Sequence, residues 1–238
     1  MPELNFNGSS VSYEVVRCAR KTLGVVVSPD GTVMVRVPYH TNHARIFEFA
    51  ERLKPWIFKH LARYEQARAS NDFTSGEKLP YLGKKYRLVV VPADNEAAPI
   101  ITGGQLRVPV PRGLSETMRR ELVKESLIKW YEVQAHQILT ERLGKLALSL
   151  GLCPAAVKVK RQVRRWGSCT ARGVINLNWR LVMAPPEVID YVIIHELCHL
   201  MVQGHQGEFW EYVARHLPDY KKHKKWLRVN SLALSMFG

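Results

Sequence analysis

The stretch from Pro185 to His205 constrains this chain more than any other. Val188, Ile189, Tyr191, Val192, Ile193, Ile194 and Leu197 are apolar almost all round a helical wheel, so the helix they form must be buried. Into that helix the sequence sets polar side chains at His195-Glu196-Leu197-Cys198-His199. Buried polar groups need partners, and something in the fold must supply them. The helix has a marked start: Pro185-Pro186 suit a first turn, and Glu187 and Asp190 sit where the helix dipole favours acids. Gly204 is predicted to end it, being free to take a left-handed conformation.

Residues four apart share one helix face, so His195 and His199 can grip one ion. Glu196 lies one residue round and can reach a water at that ion without binding the metal itself. H-E-x-x-H is the pattern of zinc hydrolases. A continued helix would carry His205 away from the metal, whereas a turn at Gly204 swings it back; His205 is therefore the first choice for third ligand. Its interval from His195 equals that of H-E-x-x-H-x-x-G-x-x-H, although Val202 stands where that pattern has glycine. Glu208, Glu211 and His216, on a helix predicted over 208–216, are the alternatives, Glu208 foremost. Phe209 and Trp210 are expected to pack beneath the site and fix the turn carrying His205. Cys198 points away from the shared face and reads as a small core residue.

The chain has 238 residues, 46% of them hydrophobic, enough for one large domain or two small ones with a real core. The first residues show neither a basic nor an apolar leader segment, so no signal peptide is expected. No apolar run is long enough to span a bilayer, and no membrane partner is expected. Cys18, Cys153, Cys169 and Cys198 are scattered, which predicts a reduced, cytoplasmic protein. The net charge is +14, and about half of the excess lies in residues 151–238. It gathers in Lys158-Val159-Lys160-Arg161, Arg164-Arg165 and Lys221-Lys222-His223-Lys224-Lys225. Such charge attracts nucleic acid or an acidic partner without conferring specificity, and a plain solvated basic face explains it equally well. A basic nucleic-acid-binding protein with a structural or vestigial zinc site is therefore the alternative function.

Along the chain the pattern predicts an α+β fold. Residues 1–111 read as a β-rich N-terminal subdomain. Leu23–Val27 and Thr32–Val37 flank Ser28-Pro29-Asp30-Gly31, a hairpin signal. A helix is predicted near 42–65, with Pro55 kinking or splitting it. Strands follow at Tyr86–Val91 and Leu106–Val110. Residues 112–238 form the second domain. Ser115 to about Leu150 has helical spacing, with Gly144 and Gly151 as weak points or stops. Val157–Val163 and Val174–Leu181 alternate as strands of a small antiparallel sheet. No internal repeat stands out.

Several of these residues together resemble a known family. Arg165-Trp166-Gly167-Ser168-Cys169, Asn176-Leu177-Asn178, the histidine helix, and His205 followed by Phe209-Trp210 are similar to the YgjP-like (DUF45) metallopeptidases, relatives of the SprT and Wss1 zinc proteases. Trp56-Ile57 and Tyr81-Leu82-Gly83-Lys84 extend the likeness over nearly the whole chain. The resemblance implies a zincin-like helical catalytic half. It also implies one zinc ion (Zn2+) on His195, His199 and His205, with Glu196 as catalytic acid and base. The expected activity is hydrolysis of peptide bonds in a protein or peptide by a metal-activated water. The segment from Gly173 to Leu181 is the predicted substrate-pairing strand, with Asn176 and Asn178 on one face as candidate substrate contacts. A structural role for both asparagines explains them slightly better. A tight turn accounts for Gly167, Ser168 and Cys169.

Overall fold

The computed structural model describes residues 2–28, 30–69, 72–95, 97–163 and 165–237. Among them the chain is α+β, three small mixed sheets interleaved with five helices. The contacts divide it into two units, one up to residue 70 and the other from residue 71 to Phe237. The boundary expected after residue 111 falls inside the second unit.

In the first unit Asn7 and Gly8 take positive φ of 50° and 81°, which turns β1 (Glu3–Phe6) tightly into β2 (Ser9–Cys18). β3 (Gly24–Val27) then pairs antiparallel with β4 (Val33–Pro38), as the Ser28–Gly31 turn predicts, with Pro29 outside the described residues. β4 also lies parallel to β2, giving the order β1-β2-β4-β3. Helix α1 (His43–Ala69) follows and runs through Pro55 without splitting. Its buried residues lie on both sides of the proline, Ile46 and Ala50 before it and Ile57 after. Packing of that stripe holds the helix together where one backbone bond is lost.

The second unit opens with the same topology. β5 (Lys78–Tyr81) turns through Leu82 and Gly83, at φ 49° and 75°, into β6 (Lys84–Ala93). β7 (Ile100–Thr102) pairs antiparallel with β8 (Gln105–Pro111), and β8 lies parallel to β6, in the order β5-β6-β8-β7. Helix α2 (Glu116–Leu150) then begins as far past Pro111 as α1 does past Pro38. Asn42 and Ser115 cap the two helices alike, each accepting from the backbone N–H three residues on. Buried Ala50 and Ile57 occupy the same places after the first cap as buried Val123 and Trp130 after the second. The chain therefore does contain an internal repeat, of strand order and capping rather than of residue identity.

α2 passes through Gly144 and stops at Gly151, which sits at φ 67° and donates to the Ala147 and Leu148 carbonyls. The third sheet holds β9 (Ala156–Lys160), β10 (Gly167–Cys169) and β11 (Val174–Asn178) in the order β10-β11-β9. β10 and β11 are antiparallel, but β9 and β11 are parallel, so the sheet is mixed and not the antiparallel one expected. The connection over 161–173 has the dozen-residue length that a parallel pair requires, and β10 forms within it. A 3-10 turn (Trp179–Met183) leads into α3 (Pro186–Cys198), which α4 (Gly207–His216) and α5 (Tyr220–Asn230) follow. The Arg142 guanidinium donates twice to the Asp190 carboxylate, at 2.8 and 2.6 Å, and ties α2 to α3. The β5–β6 turn buttresses the start of α3: Leu82 N–H donates to the Val182 carbonyl at 2.8 Å, and Gly83 lies against Pro185. No helix among the described residues is long and apolar enough to cross a membrane.

Candidate metal centre

α3 is buried almost throughout, from Val188 to Cys198. It ends sooner than Gly204: His199 is already the C-cap, and the N–H groups of Met201 and Val202 turn back onto the Cys198 carbonyl. Gly204, at φ 82°, makes a second reversal that leads through His205 into α4. The two turns together bring His205 onto the face shared by His195 and His199.

The His205 Nε2 lies 3.1 Å from His195 Nε2 and 3.2 Å from His199 Nε2. Four ligands arranged tetrahedrally at 2.0–2.1 Å from an ion stand about 3.4 Å apart, close to these separations. The three imidazoles could hold a metal ion, and among the described residues they are the only such group. Glu208, the second choice for third ligand, is exposed on α4 and outside it.

Each ring is held in place. His199 Nδ1 donates to the Val202 carbonyl at 3.2 Å, which leaves its Nε2 lone pair free for an ion. Phe209 is fully buried, stacks on His199 at 4.3 Å between centroids, and meets His195 edge-on at 4.9 Å. Trp210 Nε1 donates to the His205 carbonyl at 3.1 Å. Burial holds the His195 imidazole down to about 3, and His199, His205 and Lys224 push it the same way. Burial also lowers His205, with His199 and Lys224 adding to the effect. Neutral imidazole is the form that binds a cation.

Glu196, 5% exposed, faces β10. A Cβ on Gly167 would stand 2.6 Å from its Oε1 and 2.7 Å from its Cγ, so the carboxyl fills the place of the missing side chain. Burial pushes the carboxyl up to about 7, while Arg165 and a hydrogen bond from the Cys169 backbone pull it down.

A family model for the YgjP-like metallopeptidase domain matches residues 21–230. The chain belongs to this family. The match runs from the approach to β3 to the last residue of α5 and so spans both units. Membership in a peptidase family implies protein or peptide substrates. No curated protein matches the chain.

The remaining predicted residues lie beside the centre with other attachments. Asn178 is buried; its Nδ2 donates to the Gln162 and Arg165 carbonyls at 2.7 and 2.9 Å, and its Oδ1 accepts from the Arg180 N–H. Its polar atoms are engaged in pinning the loop before β10 and capping the 3-10 turn. Asn176 is also buried and donates to Ser168 Oγ at 3.3 Å. Cys198 is a buried thiol pushed up to about 12 by desolvation, as a core residue should be. Arg164, of the Arg164-Arg165 pair, lies outside the described residues. The sequence reading passed over the contact between Gly167 and Glu196. In sequence Gly167 reads as a turn residue, and only its place in β10 marks the close approach.

Proposed function

We propose that this YgjP-like chain is a zinc-dependent peptidase of zincin-like build, in which His195, His199 and His205 hold one zinc ion and Glu196 is the general base. The convergence of three imidazole nitrogens beside a buried carboxyl carries the reading. Imidazole ligands with one open position suit zinc. A bound zinc ion supplies Lewis acidity, making water a nucleophile near neutral pH and drawing charge from the scissile carbonyl. With the ion bound, the Glu196 carboxylate would accept a proton from the attacking water and return it to the leaving amine. Burial raises this carboxyl above the ordinary carboxylate range, which suits it to carrying a proton between the two. Gly167 and the Cys169 backbone keep this carboxyl in position.

The substrate backbone pairs along β10 rather than along the segment from Gly173 to Leu181. β11 sits in the middle of its sheet, between β10 and β9, and has no free edge. β10 is an edge strand and it abuts Glu196. Asn176 and Asn178 then support that strand and its approach from behind instead of touching substrate. The four free cysteines fit a reducing, cytoplasmic setting.

The test is metal analysis of the purified chain together with cleavage of casein or a peptide mixture. The expected result is one zinc per chain, loss of cleavage on chelation, and a fall in kcat of about 10²–10⁴ in Glu196→Gln with zinc retained. A folded chain that binds no zinc ends this reading. The net charge of +14 favours a second one, nucleic-acid binding around a structural zinc. It requires affinity for DNA or RNA that drops steeply with salt.

A further inference from the structure

α5 carries Lys221, Lys224, Lys225 and Arg228 at helical spacing, so four cations share one face. All four are exposed, yet they are not simply spread over solvent. They line one side of a concavity of about 670 Å³. Trp166, Tyr191 and Tyr220 line it as well, and among the described residues no carboxylate does. Like charges at this spacing weaken a helix, and a concavity that concentrates them favours an anionic group.

The pocket adjoins the metal centre through four of its lining residues. The Tyr191 ring lies 6.0 Å from His195. Tyr220 stacks on Trp210 at 5.2 Å, and Trp210 in turn lies 5.5 Å from His195. The Lys224 ammonium stands 3.8 Å over the Trp210 ring. Trp166 immediately precedes Gly167, the residue of β10 that contacts Glu196. A chain lying along β10 therefore passes this pocket within a few residues of the scissile bond.

We infer that the pocket between Trp166, Tyr191 and α5 is a specificity subsite that takes an acidic side chain of the substrate, selecting peptides with Asp or Glu close to the cleaved bond. The aromatic floor accommodates the methylenes of the acid, and the α5 cations meet its carboxylate. A phosphodiester would satisfy the charge as well. An acidic peptide is favoured because Trp166, which lines the pocket, leads directly into β10, a strand edge suited to peptide backbone. This inference rests on the peptidase reading for its consequence, but binding tests it without any cleavage.

The experiment uses the zinc-loaded full chain carrying Glu196→Gln and three fluorescent decapeptides that differ only in a central pair, Asp-Glu, Ser-Gln or Lys-Lys. The acidic peptide should bind about tenfold more tightly than the neutral one, as two or three partly screened charge pairs supply. Adding Lys221→Glu and Lys225→Glu should erase that preference or turn it toward the lysine peptide. Both positions are exposed, and an unchanged Tm confirms the fold. Equal affinity for the acidic and neutral peptides overturns the inference. So does a thymidine decanucleotide that binds more tightly than the acidic peptide and loses its affinity in the same double variant; that result makes the pocket a nucleic-acid site. In the chain with Glu196 intact, cleavage without acidic preference removes this inference and keeps the peptidase. Selective acidic binding with no cleavage of any peptide removes the peptidase and keeps the pocket.

Discussion

Gly167→Ala tests the arrangement around Glu196 with one carbon atom. The backbone at this position permits a side chain, since Gly167 does not have positive φ. The obstacle is space. The new Cβ would fall 2.6 Å from Glu196 Oε1, 2.7 Å from Cγ and 2.9 Å from Cδ, where ordinary contact begins near 3.4 Å. The carboxyl must therefore withdraw by roughly 0.5–1 Å, and a misplacement of that order costs about 10²-fold in rate. Overpacking costs about 1–3 kcal/mol, offset by about 0.4–1 kcal/mol from the stiffer unfolded chain, so stability should fall by only about 1–2 kcal/mol. The histidines are not touched, and zinc content should stay at the wild-type level. Peptide kcat/KM, zinc stoichiometry and a urea melt measured on one preparation separate these effects. Wild-type kcat/KM in a fully metallated Gly167→Ala chain would refute the claim that β10 sets the position of the base.

Two further predictions concern acid–base balance and the scaffold. In chelated protein, the buried Glu196, raised from 4.5 to about 7, favours the folded state fully below pH 4.5 and loses that contribution as pH rises through 7. His195, lowered from 6.5 to about 3, acts oppositely: its contribution is present above pH 6.5 and lost as pH falls toward 3. The two oppose each other between pH 4.5 and 6.5, with the lowered His205 adding to His195, so metal-free Glu196→Gln should gain about 3 kcal/mol more than metal-free wild type across that span; parallel profiles for the two chains would contradict the raised carboxyl. At the β5–β6 turn, Gly83→Ala sets a Cβ 2.9 Å from Pro185 Cα at a residue with φ of 75° and should cost about 2–4 kcal/mol, read by chemical denaturation. Gly8→Ala at the equivalent turn of the first unit meets no atom within 4 Å and should cost only the strain of its φ, about 1 kcal/mol.

The convergence of the three histidines was legible because its information is local. His195 and His199 are fixed by helical period, and Gly204 signalled the chain reversal that returns His205, although α3 stops earlier than that glycine. The buried stripe of α3 and the C-terminal stop of α2 at Gly151 were equally plain. What escaped the sequence depends on pairing between distant segments. Alternation marks Val157–Val163 and Val174–Leu181 as strands, but nothing in it says whether they run parallel, and the third sheet is mixed. For the same reason the edge position of β10 was assigned to β11. The repeat of the two four-stranded sheets was hidden because strand order tolerates almost any apolar residue; its traces are Gly8 and Gly83 in the turns and Val37-Pro38 and Val110-Pro111 at the strand ends. Gly167 reads as a turn residue in sequence because only the folded chain brings Glu196 against it.

The three imidazoles lie between positions 195 and 205, a single short loop, whereas the neighbours of Glu196 arrive from another strand. Capture of an ion would thus demand little loop-closure entropy and survive partial loosening of the sheet. On the peptidase reading, hydrolytic competence would not: once β10 peels from α3, the carboxyl would swing loose while a bound cation stayed chelated. Damage or heat would silence such a molecule before it demetallates, so metal occupancy alone is a poor measure of how much of a preparation can cut.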